Sequence, residues 1–237
     1  MKNKLIAGIV VSLVLMMLLT SCLYGIKGNG KVVKSDRLTE KFEAISASAG
    51  IEVILLQDSV IKVVVEADEN LQEIIKTEVS NGKLKIYPIK RISSCVSKKV
   101  YVTFRSIHEL QASSGADVSS KMELKMTALQ ISVSSGASIH LSLTGEKVNV
   151  EVSSGGDIDL TGLTESLDAD GSSGGNLNLS ELKSKSCNAG ASSGANLKVY
   201  ASEKINAHAS SGGNIRVVGN PKERNIEKSS GGDVSFK

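Results

Sequence analysis

A chain of 237 residues that is 41% hydrophobic is too aliphatic to be disordered, yet with no Trp and 3% aromatics it lacks the side chains of a conventional globular core. A thin core of Val, Ile, Leu and Ala fits those proportions better. The 28 basic and 25 acidic residues give a formal charge of +3, a balance that excludes nucleic-acid binding driven by bulk charge.

Lys2 and Lys4 precede an apolar run from Leu5 to Leu19, which is shorter than the roughly 20 residues a membrane-spanning helix needs. Leu19-Thr20-Ser21-Cys22 then resembles a lipobox, the cleavage sequence of bacterial lipoproteins. That resemblance implies loss of residues 1–21 as a signal peptide and attachment to the membrane through a lipid on Cys22. Loss of Lys2 and Lys4 leaves 26 basic against 25 acidic residues. Leu23 and Tyr24 follow the cysteine where an Asp commonly retains lipoproteins in the inner membrane, so an outer-membrane or cell-surface location is expected. Residues 22–37, rich in Gly and Lys, read as a flexible tether. Cys95 and Cys187 permit one disulfide in an exported protein, and Cys187 also reads as a small core residue.

Three strands are expected within FEAISASAGIEVILLQDSVIKVVVEA (42–67). Its Ser48-Ala49-Gly50 resembles a motif that recurs later, 65 residues before the next copy, a separation equal to about three coils of that repeat. In DENLQEIIKTEV, Leu71, Ile74, Ile75 and Val79 share a face at helical spacing, which predicts a short helix or an insertion. Five of the seven aromatic residues precede residue 110, so the front half should form a thicker, capped end.

From residue 113 the chain repeats itself. Ser-Ser-Gly begins at 113, 134, 153, 172, 192, 210 and 229, with spacings of 21, 19, 19, 20, 18 and 19 residues. A near-constant period of about 20 residues is the signature of a solenoid. Five residues after each first Ser stand Val118, Ile139, Ile158, Leu177, Leu197, Ile215 and Val234, with polar residues beyond them and mostly apolar residues two further on. Alternation of that kind marks a strand with one buried face. A second strand precedes each motif, and its inward positions shrink to Ala and Gly in the middle repeats, as at Ala169, Ala189, Gly171 and Ala191. There the layers should approach closely.

The glycines Gly115, Gly136, Gly155, Gly174, Gly194, Gly212 and Gly231 are expected to turn the corner between the strands, because only glycine takes positive φ without penalty. Behind them runs a small polar file of Asp117, Ser138, Asp157, Asn176, Asn196, Asn214 and Asp233. These residues suit turns, and stacked rungs would let them bond along the axis or meet a ligand. Parallel rungs about 4.8 Å apart give the seven copies a length of roughly 30 Å. Phe236 is placed to close the C-terminal end.

The front stretch FEAISASAGIEVILLQDSVIKVVVEADENLQEIIKTEVSNGKLKI, followed by recurring SSG[GA][DN][IVL], resembles the bacterial putative auto-transporter adhesin, head GIN domain family across residues 38–237. The resemblance implies a right-handed parallel β-helix in an exported protein. It supplies no catalytic residues.

Three uses of such a rod are open. As an envelope adhesin or binding module, its repeated side chains would meet a host or matrix protein or a glycan through many weak hydrogen bonds. As a structural component it would act as a spacer or self-associate through its exposed ends. As an enzyme it would need clustered acids, bases or a metal. Asp157, Asp159, Asp168 and Asp170 are the one carboxylate group in view, with Ca²⁺ as its conceivable ion. His108, His140 and His208 fall in different columns, and no hydrolase, metalloprotease or phosphate-loop motif occurs. The expectation is therefore a non-enzymatic protein without cofactor or metal.

Overall fold

The structure, a computed structural model, describes residues 25–237. The signal sequence and Cys22 lie outside the described residues. Among the described residues, nineteen strands and one three-residue 3-10 turn make up the fold. The front part holds β1 (Ile26–Lys27), β2 (Val32–Arg37), β3 (Ala44–Ala47), β4 (Glu52–Gln57), β5 (Lys62–Asp68), β6 (Ile75–Ser80), β7 (Lys83–Pro88), β8 (Ile92–Ser94) and β9 (Lys98–Phe104). The repeats hold β10 (Glu109–Ala112), β11 (Asp117–Val133), β12 (Ser138–Val152), β13 (Asp157–Gly171), β14 (Asn176–Ala191), β15 (Asn196–Tyr200), β16 (Lys204–Ala209), β17 (Asn214–Val218), β18 (Glu223–Lys228) and β19 (Asp233–Phe236).

The repeats stack as coils of a parallel β-solenoid. Asp117 pairs with Ser138, Ser138 with Asp157, Asp157 with Asn176, and the file continues through Asn196 and Asn214 to Asp233. Inward residues Val118, Ile139, Ile158, Leu177, Leu197 and Ile215 are each at most 2% exposed. Burying one such aliphatic side chain stabilises by about 1.5–3 kcal/mol, and each coil buries its own set only because the coils above and below cover it.

Each Ser-Ser-Gly corner is tighter than the glycine alone requires. The second serine has φ between 46° and 54° and the glycine between 68° and 77°. The first serine's carbonyl accepts a hydrogen bond from the N–H three residues on, at 2.8–3.2 Å in all seven corners. Two consecutive positive φ values closed by that bond match a type I′ turn. The left-handed serine turns its carbonyl along the axis, where the glycine N–H of the preceding coil donates to it at 3.1–3.3 Å. The corner thus prolongs the backbone ladder.

Ser48-Ala49-Gly50 is an eighth corner, with Ala49 at φ 57° and Gly50 at φ 73°. It lies one coil, rather than three, from Ser113: β3 pairs directly with β10 and β4 with the start of β11. The intervening residues turn back. β7 lies parallel to β3 on its other side, and β9 parallel to β4, so a coil later in sequence sits beneath the first. Antiparallel strands close that end, with β2 and β9 flanking β5 and β6 pairing with β7.

Two further expectations change. The helical spacing over 68–79 produces only the turn Glu69–Leu71; Ile75, Thr77 and Val79 instead alternate along β6, because pairing with β7 outweighs the local pattern. The stretch read as a tether forms strands from Ile26 onward. Its Gly28 and Gly30 are positional rather than loose: a side chain at Gly28 would collide with the Asp68 carboxylate, and Gly30 donates its N–H to Asp68 Oδ2 at 2.9 Å. Val96 and Ser97 also donate their N–H groups to Asp68 Oδ1, both at 3.0 Å. These bonds, that of Ser97 foremost, hold the buried Asp68 carboxyl below its ordinary pKa.

At the far end Phe236 stacks beside Val217 but stays 39% exposed, with the Arg224 guanidinium 4.4 Å from its ring centre. The lid is the pair rather than the phenyl ring alone. Cys95 and Cys187 are free thiols, and burial pushes Cys187 up to about 12.

Candidate functional site: a polar trough along one wall

The wall that precedes each corner carries its smallest core side chains in the middle and later rungs. Going along the axis, the inward file runs Leu110, Ile131, Val150, Ala169, Ala189 and Ala207, all buried. Its companion runs Val133, Val152, Gly171, Ala191 and Ala209. The opposite wall lies close: a side chain at Gly171 would stand 2.5 Å from Leu197 Cδ1. On the outside of these rungs lie two adjoining hollows of about 590 and 640 Å³, which share Glu151, Asp170, Gly190 and His208.

Two outward files furnish the trough. One is Gln130, Asn149, Asp168, Asn188, Asn206 and Asn225. Asn188 Nδ2 donates to Asp168 Oδ1 at 2.6 Å, Asn206 Nδ2 donates to Asn188 Oδ1 at 2.7 Å, and Lys147 Nζ lies 3.4 Å from Asp168 Oδ2. Asn149 Oδ1 is buried with no hydrogen-bond partner among the described residues. The other file is Ser132, Glu151, Asp170, Gly190, His208 and Glu227. The Asp170 carboxylate leans over Gly190, which has no side chain to displace it. Partial burial, together with the Glu151 and Asp168 carboxylates, raises the Asp170 pKa. His208 Nδ1 stands 3.3 Å from Glu227 Oε2.

The small polar file singled out in the sequence lies on the other wall. Ser138 Oγ donates to Asp117 Oδ1 at 3.1 Å, Asn196 Nδ2 to Asn176 Oδ1 at 3.3 Å, and Asn214 Nδ2 to Asn196 Oδ1 at 3.2 Å. Asp233 accepts from Lys228 Nζ at 2.8 Å. Asp157 occupies the rung between Ser138 and Asn176. The Ser138–Asp117, Asn196–Asn176 and Asn214–Asn196 bonds tie rung to rung, whereas Asp233 is held within its own coil.

The carboxylates do not gather. Asp157 and Asp159 follow one corner while Asp168 and Asp170 precede the next, at the other end of β13. Among the described residues no three His, Cys, Asp or Glu side chains come together as a metal-holding group. The trough itself was written in the sequence as the Gln-Asn-Asp-Asn-Asn-Asn file and the shrinking Ala and Gly columns, but only stacking shows that the two coincide.

The second serines form an exposed file on the corner ridge. Ala49 makes the same corner without a hydroxyl, so the turn does not require one.

The comparisons agree with this architecture. A putative adhesin from Bacteroides fragilis superposes with a TM-score of 0.83 at 20% identity, covering 90% of this chain and 100% of that one. A putative adhesin from Parabacteroides merdae gives 0.71 at 18% identity, covering 90% and 98%. A putative lipid binding protein from Parabacteroides distasonis gives 0.65 at 18% identity, covering 90% and 99%. At such identities the likeness is one of fold. No curated protein matches the sequence. The family described as "Putative auto-transporter adhesin, head GIN domain" matches residues 41–221, the span that holds the first corner, the returning front strands and all but the last coil, and the chain belongs to that family.

Proposed function

We propose that this protein is an exported, lipid-anchored binding module of the cell envelope, held through Cys22 after removal of residues 1–21, that uses the polar trough to adhere to a host or matrix protein or a glycan. Family membership supports adhesion, and the lipobox-like Leu19-Thr20-Ser21-Cys22 supports export and the anchor. The observation that carries the binding reading is the trough itself, whose two hollows share Glu151, Asp170 and His208. Along it, amide and carboxylate groups repeat at rung spacing, suited to an extended polar chain lying along the axis. Separation of Asp157 and Asp159 from Asp170 supports a binding role over hydrolysis.

The test is an array of glycans and matrix proteins probed with the chain from Cys22 onward carrying Cys22→Ser. Asp170→Asn and His208→Ala should weaken a captured ligand at least about tenfold, the loss of roughly one charge-assisted hydrogen bond. Asp157→Asn on the other wall should leave it unchanged. Equal loss from both walls would remove the trough as the site, and silence across the array would favour a structural or assembly role.

A further inference from the structure

We propose that the N-terminal end of the solenoid is a second contact surface, one that lies against the anionic phospholipid headgroups of the membrane carrying the anchor. The inference rests on lipidation of Cys22. It starts from the strands found where the sequence promised a tether. Ile26 already belongs to β1, its N–H donating to Arg91 O at 2.8 Å, and Gly28 N–H donates to Ser94 O at 2.8 Å. Four residues from Cys22 to Ile26 span at most about 14 Å. The lipid therefore holds this end close, with Ile89, Lys90 and Arg91 beside the point of attachment.

That end is built unlike the rest of the surface. β2 and β6 are the outermost strands of their walls there, and no further coil covers them. Leu38 is fully exposed, Val96 is 71% exposed and Ile89 is 52% exposed. A shallow groove of about 680 Å³ holds Leu38 and Ile89 with the cations of Arg37, Lys76 and Lys90 and the carboxylates of Glu73 and Glu78, a surplus of one positive charge. Apolar tips set among charged side chains with a basic surplus are the composition of an interfacial membrane contact. Charge is also divided along the molecule. Residues 25–108 carry 14 basic and 10 acidic side chains, a net +4, whereas residues 109–237 carry 12 and 15, a net −3. An anionic surface attracts the first part and repels the second, which stands the rod away from the membrane with the trough on the projecting part.

The absence of Trp from the chain makes single reporters possible. The full lipidated protein, carrying Ile89→Trp, Val96→Trp or, on the rod, Leu163→Trp, is reconstituted into phosphatidylcholine–phosphatidylglycerol vesicles containing brominated lipid. All three sites are exposed, so the fold tolerates the ring. The expected result is quenching several-fold stronger for the Ile89 and Val96 reporters than for the Leu163 reporter, and weaker in vesicles without phosphatidylglycerol. Equal quenching at all three sites, or none, overturns the end-on contact. Flotation with vesicles that lack phosphatidylglycerol, where the headgroup contact is lost, separates the two readings: a Cys22→Ala variant that still floats there defeats the anchor and this inference with it. Wild-type protein that floats while the Ile89 reporter stays unquenched defeats the contact alone.

Discussion

The front part, residues 25–108, and the coils, residues 109–237, solve the same problem differently. The coils each place a few short aliphatic side chains against similar neighbours, and every pairing joins residues about one repeat apart. The front part fills its end with Phe42, Leu55, Ile75, Ile86 and Phe104, mixes parallel with antiparallel pairing, and inserts β7 and β9 beneath strands that precede them. Regular stacking needs no large side chains but leaves an open face at each end. Closing that face takes an irregular piece with bulky residues and contacts distant in sequence.

Deleting large core groups should expose this contrast most strongly. Phe104→Ala, at a fully buried site of the front part, should cost about 3–5 kcal/mol. Cys187→Ala, in the thin core of the coils, should cost about 1 kcal/mol, because little volume is lost. Denaturant unfolding of both variants measures the difference, and equal losses would break the distinction. Within the coils, Gly171→Val should cost about 1–3 kcal/mol by forcing the two walls apart at Leu197. Gly155→Ala at a corner meets no atom within 4 Å and should cost about 1 kcal/mol, from positive φ alone.

Acid should separate the regions by local opening. Asp68, Glu66 and Glu69 in the front part have pKa values held below their ordinary 3.8, 4.5 and 4.5, by the Ser97 N–H, Lys34 and Lys31 respectively. Their contribution to stability is complete above those ordinary values and is lost as pH falls through the lowered ones. Asp170 in the trough has a raised pKa, so its contribution runs the other way: present below 3.8 and lost as pH rises through the folded value. Hydrogen exchange at progressively lower pH should therefore show β1, β8 and the Asp68-bound amides opening before β13 and β14. Earlier loss of the trough rungs would contradict the assignment.

How much could be read beforehand follows the same division. Seven copies of one motif report the strand period, the corner and the register at once, and Val118 through Val234 stand in the file their spacing dictates. The left-handed second serine went unread because its side chain is no usual marker of positive φ; its carbonyl bond to the neighbouring coil appears only after stacking. In the front part each strand occurs once. Ile75 and Val79 satisfy a helical spacing and a strand alternation together, and only the presence of β7 decides between them. The order of coils could not be read at all, since nothing in Ser48-Ala49-Gly50 tells that the chain doubles back before Ser113. The trough has a related reason for being hidden: each repeat holds only one rung of it, so Asp168 and Asn188 form a file over the Ala169 and Ala189 columns only after stacking.

The doubling back of β7 and β9 also frees the length of the molecule from its architecture. The returning strands at one end of the stack belong to no repeat, whereas at the other the last repeat itself carries Phe236 and Arg224. Gene duplication of a single block of about 19 residues would lengthen the shaft by about 4.8 Å and disturb neither terminus. Selection could therefore set the reach of this protein like notches on a ruler.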